Sequence, residues 1–512
     1  MKPYTMNCIP STHTHDSFTA TVINTLNQRI ETDADRHSFF INDKFYTYAE
    51  LGRHVNGIRE ALKEIQTLGI GLVAHDDIQT YAAIIALWSE GKYYVPLHPH
   101  QPMERCLNII EQVGITTILD SSAQSRYAAI PSVQVIPTSD LTSTIQRPAL
   151  SCSDAELAYI LFTSGSTGQP KGVTISRGNL AAFVSAFHQL GFTLNQNDRC
   201  LQMFDLTFDL SVQSYLMPLL GGACVYTVGN DCIKYQTVFQ LLDDHHLTFT
   251  LMVPSMIHYL RPYMDELDIP EMRLSLFCGE ALPLDDTLAW SHCVPHAEIH
   301  NVYGPTENTI YCTDYMVNTN GGNKQSNGIV CIGHAMPGTQ IIVVNDQHQP
   351  VPSGEKGELC LAGDQLTPGY WNDEEKNKST FFIHQGTRYY HTGDVCSMDE
   401  EGDISYYGRM DAQIKIQGYR IELSEIECVA RQIYEDQRSV VAIPIADDRG
   451  NHSIILAVEH EEDGSADLLS QHLKRLLPSY MLPQSIHFIP TFPLNVNNKI
   501  DRKAIRQLLT KA

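Results

Sequence analysis

Leu161-Phe162-Thr163-Ser164-Gly165-Ser166-Thr167-Gly168-Gln169-Pro170-Lys171-Gly172 closes an apolar run that begins at Leu157. Glycines let a backbone turn its N–H groups toward one concavity, and such nests hold anions. Thr163, Ser164, Ser166 and Thr167 add hydroxyl donors, and Lys171 adds a mobile point charge suited to phosphate. A surface turn is the plainer reading of any Gly/Ser/Thr cluster. The buried-looking strand in front of this one favours a grip for a polyphosphate such as ATP. Pro170 before the lysine and Gly172 after it separate the loop from the Gly-x-x-x-x-Gly-Lys-Ser/Thr loop of nucleotide hydrolases.

The segments around it share one rhythm. Leu157–Thr163, Ala223–Val228, Thr248–Val253, Leu274–Cys278 and Ala297–Val302 are short apolar runs that predict buried strands. Helical stretches such as Asn179–Leu190 and Val238–Asp244 fall between them. Alternation of this kind predicts an α/β fold with parallel sheets and helices outside. Nearer the N-terminus, Thr47 and Glu50 make a capping box for a helix read over Phe45–Leu62, with Leu51, Val55, Ile58 and Leu62 at helical spacing.

After about Gly333 the texture changes. Gln340–Val344, Gly357–Ala362 and Gly402–Tyr407 predict a small antiparallel β unit. Beyond Gly408-Arg409-Met410-Asp411 comes helix Ser424–Tyr434, strand Val440–Ile445, strand Ile454–Val458, helix Asp467–Leu477 and strand Ser485–Ile489. The expected division is residues 1–409 and a small α+β domain over 410–512, with a hinge at Asp411.

Composition narrows the function classes. The chain has 512 residues and a formal net charge of -24. So acidic a chain is a poor nucleic-acid binder through its overall field. The longest apolar run, Tyr81–Trp88, is far too short to span a bilayer. Thirteen dispersed cysteines without a Cys-x-x-Cys pair fit reduced thiols, and no secretory signal opens the chain, so a cytoplasmic setting is expected. His13, His15, His245 and His246 lack carboxylate or cysteine partners at ligand spacing and read as solvated loop residues.

Four further segments carry chemistry. Asn301-Val302-Tyr303-Gly304-Pro305-Thr306-Glu307 ends a predicted strand, where ligands of open α/β sheets collect. A carboxylate there suits Mg²⁺, and an aromatic ring can stack on a base. Tyr390-His391-Thr392-Gly393-Asp394 places an acid in a tight turn, suited to a ribose diol. The run Gly408–Glu422 is basic within an acidic chain and marks the domain junction. Asn497-Asn498-Lys499 supplies a cation near the C-terminus.

Together with Ala86–Pro99, these segments in this order resemble the adenylate-forming superfamily over nearly the whole chain. That superfamily includes nonribosomal-peptide adenylation domains, D-alanine–carrier protein ligases, acyl-CoA synthetases and luciferases. The resemblance implies a large N-terminal domain of two α/β subdomains and a β barrel, with a small C-terminal lid. It implies that Thr163, Ser164, Gly165, Ser166, Thr167, Gly168 and Lys171 bind the β- and γ-phosphates of ATP. Asn301 would hydrogen-bond adenine, Tyr303 would stack on it, and Glu280 would lie nearby. Thr306 would contact the α-phosphate, and Glu307 would hold Mg²⁺. Asp394 and Arg409 would grip the ribose, and Lys499 would bridge the substrate carboxylate and the α-phosphate. Gly418 would let a phosphopantetheine arm pass close to the backbone. His391 stands where arginine is usual in the family, and Asn498 where glycine is usual.

Phe208-Asp209-Leu210-Ser211 bears on the acid. In amino-acid-activating members an aspartate here pairs with the substrate ammonium, which needs such a partner when buried; an aspartate capping a helix start is the alternative. By the same resemblance Leu210, Gln213, Leu251, Leu276, Cys278, Val302, Ile310 and Tyr311 would line the pocket. That lining is apolar with two polar handles, so a small or medium apolar amino acid is expected. D-alanine and proline lead, and a separate carrier protein with a phosphopantetheine arm is the implied partner. An acyl- or aryl-CoA synthetase and a non-catalytic nucleotide-binding module are the competing classes.

Overall fold

The computed structural model describes residues 16–165, 169–410, 413–434, 438–446, 452–461, 465–494 and 500–511. The chain forms two compact units. One comprises Met1–Pro99, Val113–Leu161 and Gly172–Met410; the other comprises His100–Gln112, Phe162–Lys171 and Asp411–Ala512.

The first unit holds two large sheets of the expected parallel kind. In the nine-stranded sheet Glu298–Tyr303, Leu274–Phe277, Phe249–Met252, Arg199–Gln202, Cys224–Thr227 and His37–Ile41 run side by side and parallel. Antiparallel strands flank them: Thr313–Met316 and His334–Ala335 at one edge, Lys44–Thr47 at the other. The seven-stranded sheet has Tyr93–Leu97, Gly69–Val73, Thr117–Asp120 and Gln134–Pro137 in parallel array beside Leu157–Thr163. One apolar core threads both, from Phe18 and Trp88 to Leu276 and Tyr311. The apolar run Tyr81–Trp88 is the fully buried heart of helix Ile78–Ser89. No helix among the described residues is long and apolar enough to cross a membrane.

The expected small β unit is a five-stranded antiparallel sheet of Thr339–Val344, Gly357–Gly363, Thr387–Met398, Phe381–His384 and Ile404–Arg409. The second unit carries helix Leu423–Arg431, helix Ala466–Leu476 and the sheet Val440–Ala446, His452–Glu459, Ser485–Ile489. A hairpin, Gln413–Ile416 with Tyr419–Glu422, turns at Gln417 and Gly418, both at positive φ (52° and 80°). Two consecutive positive-φ residues suit a two-residue hairpin turn, and glycine takes the second without strain.

Three expectations need correcting. Residues 45–47 do not open a helix: they belong to the strand Lys44–Thr47, drawn into pairing with His37–Ile41. The capping box itself is present, with Thr47 as N-cap of Tyr48–Ala61 and Glu50 returning its bond. Asp394 is not in a tight turn. It lies inside the long strand Thr387–Met398, directly after Gly393 at φ 73°. His245 is not a solvated loop residue either. It ends helix Lys234–His245 and packs against Phe40 and Tyr226. His246 is exposed as expected, and His13, His15 and Asp411 lie outside the described residues. No disulfide links the described cysteines.

One buried group has a measurable consequence. Asp76, just beyond strand Gly69–Val73, accepts a hydrogen bond from the Tyr81 hydroxyl. Burial first, opposed by that bond, lifts its pKa from the ordinary 3.8 to about 7. Between these values the folded state keeps a proton that the unfolded chain has lost, so stability falls as pH rises through the window. Asp76→Asn is therefore expected to match the parent near pH 4 and to be more stable above pH 7, by roughly 1.4 kcal/mol per pKa unit at most. Denaturation midpoints of both proteins across this range check it; an offset that does not change with pH would contradict it.

Candidate active site

The carboxyl ends of the parallel strands gather the residues of interest. Tyr303 ends the strand Glu298–Tyr303, and its hydroxyl donates to Asp394 Oδ2. Arg409 Nη1 donates to the other oxygen, Asp394 Oδ1, at 2.9 Å. Burial, and then the Asp394 charge, push the Tyr303 hydroxyl far above its ordinary pKa, so it stays a donor. Each Asp394 oxygen keeps further acceptor capacity for a diol. Asn301, two residues earlier, donates to the carbonyls of Val330 and Cys331 at 3.3 and 2.9 Å. Glu280 follows Gly279 and accepts the Ser255 N–H at 2.9 Å.

Thr306 and Glu307 stand in a short turn, Thr306–Asn308. Glu307 is 0% exposed, and Oε1 accepts the Tyr370 hydroxyl at 2.7 Å. A buried carboxylate of this kind is the hard oxygen donor Mg²⁺ takes when phosphates supply the rest of its shell, so the residues present fit that ion.

The next residues are strained. Thr309 and Ile310 sit at φ 50° and 75°. Such values are outliers for β-branched side chains and persist only where the surroundings impose them. Gln365 imposes them here. Its Nε2 donates to the carbonyls of Asn308, Thr309 and Tyr311 at 3.3, 3.2 and 2.8 Å, and its backbone carbonyl accepts the Thr309 hydroxyl. Neither Gln365 nor Tyr370 is among the candidates read from sequence. Both lie in Gly363–Tyr370, a Gly- and Pro-bearing stretch without periodicity, and only the tertiary structure brings them to this loop. Gln365→Leu is expected to cost about 2–4 kcal/mol, because buried carbonyls lose their donor. Equilibrium unfolding in denaturant measures it, and a change below about 0.5 kcal/mol would show that the clamp is not needed.

Asp209 is the first residue of helix Asp209–Gly221, whose N-cap is Phe208, so it is not the capping residue. It is 8% exposed, and its charge adds to the burial that raises the pKa of Tyr94 and Tyr159. The expected pocket residues Leu210, Leu251, Leu276, Cys278, Val302, Ile310 and Tyr311 all belong to one buried cluster. Tyr311 packs edge-on against Phe183 at 5.0 Å. The two polar handles are orphans: neither the Gln213 amide nor the Tyr311 hydroxyl has a hydrogen-bond partner among the described residues.

The glycine-rich loop belongs to the other compact unit. Gly165 N–H donates to Glu425 Oε2 at 2.9 Å. The Ser164 hydroxyl bonds the Arg420 carbonyl and the Glu422 N–H, and Lys171 Nζ lies 3.9 Å from a Glu422 oxygen. Glu425 also accepts Arg105 Nη1 at 2.7 Å. The Thr163 hydroxyl is buried with no partner among the described residues. The Gly165 N–H and the Lys171 ammonium thus face carboxylates of Glu425 and Glu422. Glu422, Glu425 and Arg105 are further residues that the sequence alone does not single out. Ser166, Thr167, Gly168 and Lys499 lie outside the described residues.

The family model of the AMP-binding enzyme matches residues 26–371. A linear gramicidin synthase protein of Brevibacillus parabrevis is 32% identical over 93% of this chain, which spans 9% of that protein. The chain likewise spans 18% of a plipastatin synthase protein of Bacillus subtilis, at 32% identity over 91% of its own length. The D-alanine–D-alanyl carrier protein ligase of Bacillus licheniformis is 29% identical over 96% of this chain and 99% of its own length. Among solved structures, the Vibrio cholerae adenylation domain AlmE in complex with glycyl-adenosine-5'-phosphate superposes with a TM-score of 0.85 at 27% identity, covering 99% of this chain and 100% of that one. With a family match over more than half of its length and the fold of the adenylation domains throughout, the chain belongs to the AMP-binding enzyme family.

Proposed function

We propose that the chain is an ATP-dependent ligase that converts a small amino acid to its aminoacyl-adenylate and then passes it to the phosphopantetheine thiol of a separate carrier protein. The observation that carries the reading is Asp209. It is a carboxylate 8% exposed, opening a helix beside the apolar cluster of Leu276, Cys278, Val302, Ile310 and Tyr311. A buried acid there suits an ammonium, and a fatty or aryl acid would gain nothing from it.

In the first half-reaction the substrate carboxylate attacks the α-phosphorus and pyrophosphate leaves. Asp394, Arg409 and Tyr303 are assigned the ribose and the base, and Asn301 and Glu280 flank them. Thr306 is assigned the α-phosphate. The Thr163–Lys171 loop takes the β- and γ-phosphates once its donors release Glu422 and Glu425. Glu307, aimed by Tyr370, would hold Mg²⁺, which neutralises charge on the phosphates. Lys499 would neutralise the charge that develops as two anions meet. Most of the acceleration then comes from positioning and electrostatics. In the second half-reaction the thiol attacks the acyl carbonyl and AMP leaves. Residues 410–512 are assigned the lid that changes orientation between the two halves, with Asp411 as hinge.

Gln213 and Tyr311 are both 0% exposed. Among small amino acids we favour D-alanine and glycine over proline. Relatives support the choice: one is a D-alanine–D-alanyl carrier protein ligase, and the AlmE structure holds a glycyl adenylate. The test is ATP–pyrophosphate exchange screened over L- and D-amino acids, glycine and simple carboxylic acids. Exchange with D-alanine or glycine and at most weak exchange with acids lacking an amine is expected. Exchange driven best by an acid without an amine would replace this reading with an acyl- or aryl-CoA synthetase.

A further inference from the structure

Away from the residues assigned above, the five-stranded sheet brings three metal-binding side chains together. Strands Gly357–Gly363 and Thr387–Met398 pair so that Cys360 faces His391. Cys360 Sγ lies 3.7 Å from His391 Nδ1, and Glu358 Oε2 lies 2.8 Å from the same nitrogen. One donor atom from each of the three falls within 4.8 Å of the others. The His348 ring, from the turn between Thr339–Val344 and Gly357–Gly363, stands 4.7 Å from the His391 ring, centroid to centroid. Phe382 stacks on His391 at 4.3 Å and walls one side.

We propose that Glu358, Cys360 and His391 form a three-ligand binding site for a borderline-soft divalent cation of the zinc class, with the His348 ring beside it. Metal–sulfur and metal–nitrogen bonds of about 2.3 and 2.0 Å at a tetrahedral angle put sulfur and nitrogen about 3.5 Å apart. The observed 3.7 Å is close to that edge. The Glu358–His391 contact has to open by about half an ångström, as a hydrogen bond gives way to two metal bonds. Filling the site releases the Cys360 thiol proton to solvent, and His391 binds as the tautomer carrying its proton on Nε2. Thiolate with imidazole selects a zinc-class ion over Mg²⁺, which prefers oxygen. Glu358 Oε1 meanwhile holds the Gly393 N–H at 2.9 Å, next to Asp394, so the ion would brace the strand that presents that carboxylate. The other cluster of possible ligands among the described residues, Asp399, Glu401 and Asp403, is closed by the Lys324 ammonium at 2.7, 2.5 and 2.6 Å and is not a rival.

The full chain, stripped with a chelator and titrated with Co²⁺, should develop thiolate-to-cobalt charge-transfer absorption at one equivalent, reversed by Zn²⁺, and Zn²⁺ should raise its melting temperature. Cys360→Ser should abolish the charge-transfer band. His391→Arg, which keeps a hydrogen-bond donor against Glu358 but removes the imidazole, should weaken Zn²⁺ by more than about ten-fold, the loss caused even by removing a side chain that only orients a ligand. If Cys360→Ser fails to fold, as judged by its own melting curve, His391→Arg decides alone. No charge-transfer band with the parent chain, or Zn²⁺ affinity unchanged in His391→Arg, overturns the proposal. A band that survives in folded Cys360→Ser places the ion on another thiol and overturns it as well.

Discussion

Asp209→Ala is expected to lower amino-acid-dependent ATP–pyrophosphate exchange by at least about a hundred-fold, with the protein still folded. Removing one partner of a buried ion pair costs roughly 3–5 kcal/mol, because the other charge stays buried without compensation. At 1.4 kcal/mol per decade that is about two to three and a half decades. The loss should appear for every amino acid, because the ammonium is common to all of them. Asp209→Asn should lose nearly as much, since an amide restores a hydrogen bond but no charge. A carboxylic acid of the same size without the amine should not be penalised by either change, and its weak exchange should approach that of the parent. Unfolding curves separate this outcome from a collapsed core, since Asp209 lies on a helix buried along its length. Exchange kept within three-fold of the parent would remove the amino acid from the proposed reaction.

How much of this is legible in the sequence follows from what local sequence can encode. The parallel strands are readable because β-branched and apolar runs of that length have few other places to go. Leu157–Thr163 and Ser485–Ile489 have in the structure the boundaries their sequence suggests. The segment 45–47 misleads because its strand partner, His37–Ile41, sits across a turn and wins over helical spacing. Asp394 is readable as an acid after a glycine, whereas its seat in a strand is not, since its pairing with Arg409 depends on a second strand. The anion preference read in the glycine loop comes from its donor types alone, whereas the carboxylates beside Gly165 and Lys171 come from Glu425 and Glu422, far along the chain. Gln365 and Tyr370 are invisible for the opposite reason. Their residue types carry no signal, and only the path of Gly363–Tyr370 past the strained turn gives them work. The Cys360–His391 pair is of the same kind, 31 residues apart in sequence and opposite in a sheet.

Gly304→Ala is expected to have the other large effect. A Cβ on Gly304 would stand 2.3 Å from Tyr311 Cα, 2.9 Å from the Ile310 carbonyl oxygen and 3.0 Å from the Tyr311 carbonyl carbon. All three are backbone atoms, so no side chain can rotate out of the way. The facing backbone cannot move cheaply either. Thr309 and Ile310 already hold positive φ, and Gln365 fastens the carbonyls on both sides of them. The displacement therefore falls on both walls of the proposed site, Tyr303 through Glu307 on one strand end and Ile310 with Tyr311 on the other. Overpacking of this kind costs about 1–3 kcal/mol in stability and sometimes more. Activity should suffer further, because a shift of about 1 Å in a positioning group can cost a hundred-fold in rate. Unlike Asp209→Ala, this change should depress exchange with amine-bearing and amine-free acids alike, through kcat at saturating ATP and acid. Gly304→Ala that keeps kcat within three-fold of the parent would show that the close approach of Gly304 to Tyr311 is not maintained in the working enzyme, and the strained turn would then have no claim on catalysis.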